Sequence, residues 1–274
     1  MTPHALPNPN ETRADVVTES VIEDRQPTAA ILVIGDEILS GRTQEGNAHF
    51  LAGVLTEIGV ALRQIRCIPD DKDTIIAAVR ELSAQMDYVF TSGGIGPTHD
   101  DITADAVAAA FGARIGVRDD AKRILLDYYG PENLNEARLR MARIPDGAEL
   151  IRNPVSHAPG FILRNVHVMA GVPKIFQAMV EGLRGALAGG KPTLSHSFQA
   201  YIVEGAVAAP LREIDARHPD VSFGVYPYYR LEGGPGCTIV ARSTHPADLA
   251  AAAQDVKALL DDLDVRVVIE TKPR

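Results

Sequence analysis

The chain has 274 residues, with 36 acidic against 27 basic side chains and a formal net charge of -9. At roughly 100–200 residues per domain, this length fits one large domain or two modest ones. Hydrophobic residues at 46% and charged residues at 23% exclude a disordered or collagen-like chain, and the acid surplus argues against a nucleic-acid partner, whose phosphates call for a basic face.

Residues 1–28 carry prolines at 3, 7, 9 and 27 and lack the apolar run of a secretory signal, so they read as a disordered leader. The apolar run 29–34 reads as a strand ending at Gly35, followed by a polar loop. Phe50, Leu51, Val54, Leu55 and Ile58 recur at helical spacing over 47–58, and Gly59 stops that helix. A strand over 60–68 ends at Pro69, and Asp73 is positioned to cap a helix with Ile75, Ile76, Val79 and Leu82 on one face. Residues 87–91 form a third strand, followed by a glycine-rich turn and a helix over 102–111. Helices over 119–129 and 133–143, strands over 161–163 and 167–170, and a helix from Pro173 to about 187 complete a first domain at 29–188. The alternation predicts an α/β/α three-layer sandwich with a mostly parallel sheet.

Residues 189–193 read as a linker. Beyond it, strand 198–205, helix 207–217, strands 221–226 and 237–242 around a turn at 233–236, helix 247–263 and strand 265–269 predict a small α+β domain of split βαβ type over 194–274. Cys67 and Cys237 are too far apart in sequence to suggest a disulfide framework or zinc cluster, and read as buried small apolar residues in a reducing compartment. No stretch approaches the ~20 apolar residues that span a bilayer, so the expectation is a cytoplasmic protein without a membrane partner.

Ligands of open parallel sheets bind beyond the carboxyl ends of the strands. Three loops fall there: 35–41, 69–73 and 92–105. In the third, Gly93, Gly94 and Gly96 free the backbone to turn N–H groups toward an anion. Thr98 and Asp101 have capping-box spacing, so Thr98 is expected to start a phosphate-binding helix. Asp100, Asp101 and, one turn on, Asp105 would repel a phosphate unless a cation bridges them, as magnesium does. The plain alternative is that Asp100 and Asp101 complement the helix dipole. Asp36 and Glu37 are either a helix-cap pair or contacts to metal or hydroxyl groups, while Asp70, Asp71 and Asp73 read first as a turn and cap. His99 and His157 are loop histidines of weaker claim, and neither a Rossmann fingerprint, a P-loop nor a nucleophile elbow is present.

The segment 92–103, SGGIGPTHDDIT, resembles the molybdopterin-binding (MoaB/Mog-type) family, and within it the N-terminal part of CinA-type proteins. Segment 35–41 followed by Asn47, the Asn153–Pro154 pair with 158–161 (APGF), and Ala170-Gly171-Val172-Pro173 are similar to further motifs of that family, in the same order. The resemblance covers about 30–187 and implies a pterin or nucleotide ligand, with a divalent metal (Mg, Mn or Co) as cofactor and molybdopterin as a candidate ligand. By motif, Gly35, Glu37, Ser40, Gly93, Gly94, Gly96, Thr98, Asn153, Gly160, Gly171 and Pro173 would bind substrate or phosphate. Asp36, Asp100 and Asp101 would hold metal, and Asp100 and Asp101 would be catalytic. Three activities stay open: metal-dependent hydrolysis of a nucleotide pyrophosphate such as ADP-ribose, non-catalytic binding, and molybdopterin adenylyl transfer. The resemblance also implies a homo-oligomer. The amidase-like domain of longer CinA-type proteins is not matched, so nicotinamide-nucleotide deamidation is not expected. The chain departs from the family pattern at Ala170, where proline is usual, at Lys174 after Pro173, and at Ser156-His157, a place often taken by glycine.

Overall fold

The computed structural model describes residues 26–230, 234–265 and 267–271. The leader expected at 1–28 lies outside them up to residue 25. The chain divides into two compact units between Gly190 and Lys191.

In the first unit, β1 (Thr28–Ile34) is followed by a single-turn α1 (Asp36–Leu39), where an irregular polar loop was expected. Then come α2 (Asn47–Glu57), β2 (Ala61–Ile68), α3 (Lys72–Gln85), β3 (Tyr88–Ser92) and α4 (Thr103–Phe111). Strand β1 pairs in parallel with β2 on one side and β3 on the other. Consecutive crossovers therefore pass over opposite faces, which makes the end of β1 a topological switch point.

Strict alternation along β1 serves both faces. Ala30, Leu32 and Ile34 pack with α3 and α4 through Ile75, Val79, Leu82, Ala106 and Val107. Ala29, Ile31 and Val33 face α2 through Leu51, Val54 and Leu55. Ile31 and Leu32 are fully buried, each contributing about 1.5–3 kcal/mol relative to exposure. Two buried faces make β1 read as one continuous apolar run.

Helix α5 (Asp119–Tyr129) forms as expected, but only Glu136–Arg140 of the helix expected at 133–143 is helical, as α6, capped by the Asn135 side chain. Three short strands escaped the sequence reading: β4 (Ile115–Val117), β5 (Arg143–Pro145) and β6 (Glu149–Ile151). At three residues each they carry too few alternations to show a period. Strands β7 (Gly160–Leu163) and β8 (Val166–Met169) and helix α7 (Pro173–Leu183) complete the unit. The main sheet runs β2-β1-β3-β8-β7-β6, parallel across its first four strands and antiparallel at β7 and β6. Cys67 is exposed, against expectation, while Cys237 is buried. Strand β2 is the sheet edge, and Arg63, Ile65 and Cys67 share its open side.

The second unit is β9 (Leu194–Ala200), α8 (Glu204–Arg217), β10 (Ser222–Arg230), β11 (Gly234–Ser243), α9 (Pro246–Asp262) and β12 (Val267–Thr271). Its antiparallel sheet runs β10-β11-β9-β12, the split βαβ order. Strand β9 lies four to five residues before the segment expected, because Ser195 and Ser197 disguise its start. Phe198, Val207, Leu211, Ile239 and Val256 form its core. Gly233 of the expected turn lies outside the described residues. Among the described residues no helix is long and apolar enough to cross a membrane.

Candidate functional site

The loops after β1, β2, β3 and β8 meet around one cavity of about 740 Å³ in the first unit. Gly35 and Glu37, Asp70, residues 93–97, Asp100 and Asp101, Asn153, and Gly171 with Pro173 line it. Of the residues placed at the site by motif, Asp36, Ser40, Thr98 and Gly160 are not among the lining residues, and neither are Asp105, His99 and His157. Ser40 closes α1, and its hydroxyl contacts the Glu37 carbonyl. Gly160 is buried in β7, where a side chain would run into the Val168 carbonyl.

Close approach of backbones explains the glycines. Gly93 has φ +111°, its N–H donates to the Met169 carbonyl, and a Cβ would collide with the Ile34 carbonyl oxygen. Gly94 has φ +69°, and a Cβ there would meet the Thr103 hydroxyl. Asn47, the buried first residue of α2, ties the same loops together. Its Nδ2 donates to Ser92 Oγ (2.8 Å) and to the Gly171 carbonyl (2.7 Å).

Asp101 does not sit at a helix start, and Thr98 does not begin a helix. The helix begins at Thr103, whose N–H donates to the Gly94 carbonyl (3.0 Å). Asp101 closes the turn before it, accepting from Gly96 N–H at Oδ1 (2.6 Å) and from Thr98 N–H (2.8 Å) and hydroxyl at Oδ2. The N–H groups of Gly93 and Gly96 are thus spent within the protein. Those of Gly94 and Ile95 remain without a partner among the described residues.

The carboxylates crowd one side. Asp70 accepts from Asp36 N–H (3.0 Å) and is pushed above the ordinary carboxylate range by burial, and further by the nearby charges of Asp36, Glu37 and Asp100. From the sequence, Asp70 reads first as part of a turn and cap. Its signal was its place two residues past Ile68, which pairs with Ile34 at the mouth of the first loop. Its neighbour Asp71, rather than Asp73, caps α3 through Thr74. Asp105 is engaged by Arg143 in an ion pair. Among the described residues no three His, Cys, Asp or Glu side chains form a ready-made metal cage.

The remaining wall includes Tyr129, Arg138, Met141, Ser156 and Ala158, beside Asn153. Buried Asn153 holds its loop closed, donating to Ser156 Oγ and the Ala158 carbonyl while accepting from Val155 and Ser156 N–H. Tyr129 and Arg138 carry no motif, so only the fold brings them to the site.

This architecture, an α/β/α sheet with a glycine turn and acidic rim at its switch point, is that of a small-ligand-binding domain. Residues 30–189 match the family described as Probable molybdopterin binding domain, and the chain belongs to that family. Residues 192–268 are similar to the family described as FAD synthase, middle domain. A protein of Pyrobaculum calidifontis is 34% identical over 73% of this chain and 81% of its own length. A CinA-like protein of Desulfosudis oleivorans is 37% identical over 56% of this chain, which is 38% of its own length. A crystal structure of the protein CinA, of unknown function, from Thermoplasma acidophilum superimposes with a TM-score of 0.56 at 35% identity, covering 59% of this chain and 98% of that one.

Proposed function

We propose that the cavity binds a nucleotide bearing a pyrophosphate, of the ADP-ribose class, and that the chain hydrolyses it with the aid of a divalent cation. The observation that carries this reading is the crowding of Asp36, Glu37 and Asp100 about Asp70, beside a turn that keeps the Gly94 and Ile95 N–H groups unpaired among the described residues. Such a rim repels phosphate on its own and accepts it with a hard cation. All the donors are carboxylate oxygens, as magnesium and its relatives prefer. Asp70 and Asp100, which line the cavity, would hold the ion, with ligand phosphates and water completing its shell. When bound, the ion would neutralise pyrophosphate charge and lower the pKa of a water.

The chain's own residues do the rest. Gly94 and Ile95 donate to a phosphate oxygen and so favour the charge that grows there in the transition state. Asp100 orients the attacking water, and Asp101 keeps the turn in shape. Gly171, Pro173 and the Asn153 loop bound the space for the base. The likeness of 192–268 to an FAD synthase domain supports a nucleotide ligand.

The test is to incubate the protein with ADP-ribose, with FAD, and with ATP plus molybdopterin, each with magnesium, manganese or cobalt. AMP released from ADP-ribose, lost without metal and reduced at least about a hundredfold in Asp100→Asn, is the expected result. AMP release that survives Asp100→Asn and Asp70→Asn overturns the site.

A second reading, a binding module without turnover, is favoured by one observation: both Asp101 oxygens are already committed to Gly96 and Thr98. Tight, metal-dependent binding of molybdopterin or nucleotide without any product would establish it instead.

A further inference from the structure

Among the described residues, five charged side chains line the cavity: Glu37, Asp70, Asp100, Asp101 and Arg138. Four are acids and one is a cation. Other arginines of the first unit meet carboxylates: Arg114 with Asp146, Arg118 with Asp120, and Arg143 with Asp105. Arg138 does not, and neither do Arg80 and Arg140, which bond backbone carbonyls; of these three Arg138 is the one that lines the cavity. Among the described residues no carboxylate lies within ion-pair distance of it. Its guanidinium lies over the Tyr129 ring, 4.2 Å from the centroid, and Nη1 donates to the Asn133 carbonyl. A guanidinium has five N–H donors, so one bond and a ring face leave most of its hydrogen-bonding capacity unused at the cavity wall.

The support behind it is layered. Tyr129 meets Tyr128 edge-on, with centroids 4.8 Å apart and planes at 72°. Tyr128 stacks on His157 at 4.3 Å and 23°. His157 has φ +63°, a left-handed conformation that glycine adopts more easily. Stacking on Tyr128 offsets the cost of a side chain there, and supplies a reason for histidine at this place. The stack joins the end of α5, the start of α6 and the Asn153 loop, so the arginine is held rather than trailing in solvent.

We infer that Arg138 is the anion-receiving residue of this cavity, positioned by the Tyr129–Tyr128–His157 stack, and that it takes a second phosphate of a diphosphate ester whose first phosphate meets Gly94 and Ile95. The inference rests on the reading that a nucleotide pyrophosphate occupies the cavity. It adds a specificity: a ligand with two phosphates is preferred over one with a single phosphate because only the longer anion engages both the turn and the guanidinium. His157 and Tyr128 are positioning residues, acting through Arg138.

Calorimetric titration of the full chain with ADP-ribose, used throughout as its non-hydrolysable methylene-bridged diphosphate analogue, and with AMP, both with magnesium present, tests this. The native protein is expected to bind ADP-ribose more tightly than AMP, with affinity falling as salt rises toward about 0.15 M. Arg138→Gln is expected to weaken ADP-ribose by about tenfold or more, the scale of one charged hydrogen bond, to leave AMP little changed, and to flatten the salt dependence. Arg138→Lys keeps the charge and is expected to restore the salt dependence with part of the affinity. His157→Gly, with a thermal melt as control for folding, is expected to shift ADP-ribose binding in the same direction but less. Arg138→Gln and Arg138→Lys that both bind ADP-ribose like the native chain, with the same salt slope, overturn the inference and leave the nucleotide reading standing. A native protein that binds neither ADP-ribose nor AMP with any of the three metals overturns the nucleotide reading, and the inference with it.

Discussion

Gly93 holds a backbone position that no other residue fits: φ is +111°, and the Ile34 carbonyl occupies the place of a side chain. Gly93→Ala is expected to lose at least about 1–3 kcal/mol in urea unfolding, because strain and collision act together. Gly116→Ala, where φ is not positive and no atom lies in the way, is the control and should change little. An unchanged urea midpoint for Gly93→Ala would show that the two loops do not pack as described. The glycine run was legible in sequence because a tight turn imposes a local steric demand. The task of Asp101 was not. Spacing from Thr98 is the same whether the carboxylate starts a helix or closes a turn, and only the Thr103 N–H to Gly94 bond places the helix start later. Asp70 was equally ambiguous, since being half-buried beside Asp36, Glu37 and Asp100 is a property of neighbours distant in sequence.

Among the elements, long helices with an apolar stripe were legible and short strands were not. Helix α3 announces itself through Ile75, Val79 and Leu82, all buried, yet its start is one cap earlier than Asp73 implied. Asp71 accepts from both the Thr74 hydroxyl and N–H, which holds its carboxyl below the ordinary range. A depressed carboxylate stabilises the fold above its unfolded value and loses that contribution as pH falls through the folded one. Asp71→Ala should therefore lower the urea midpoint at neutral pH, and the gap from the native chain should close below about pH 4. A gap that persists unchanged at lower pH would mean that the cap acts other than through its charge. The excursion through α5 and α6 shows the other limit. Tyr129 and Arg138 sit on unremarkable helix ends, and they gain a role only because the chain folds that wall over the glycine turn.

At the scale of the molecule, the mostly parallel sheet stands between two apolar layers, and polar side chains are enclosed in it, Thr91, Ser92 and His167 among them. His167 of β8 is buried against Phe90, with ring centroids 4.9 Å apart. Burial lowers its pKa from 6.5 to about 4. The unfolded chain takes up that proton first, so stability is full above about pH 6.5 and falls as pH drops toward 4, by about 3 kcal/mol in all. Unfolding free energies of His167→Phe, which cannot titrate, should show a shallower decline over that window. Equal slopes for the two proteins would rule out His167 as the cause.

The long helices, the parallel strands of the first unit and the glycine turn were legible in the sequence, whereas the three-residue strands and the turn of helix after β1 were not. Each legible feature rests on a repeating or local demand: an apolar period, a chain break, a backbone angle. Eight acids, Asp36, Glu37, Asp70, Asp71, Asp73, Asp100, Asp101 and Asp105, could be assigned to strand ends in the same way. Which of them share a cavity was a tertiary matter. Folding sets Glu37, Asp70, Asp100 and Asp101 around one space, commits Asp71 to a cap and Asp105 to Arg143, and brings Arg138 to the same wall. Charge repels and pairs through space, so its consequences were decided only once the loops of separate strands had been brought together.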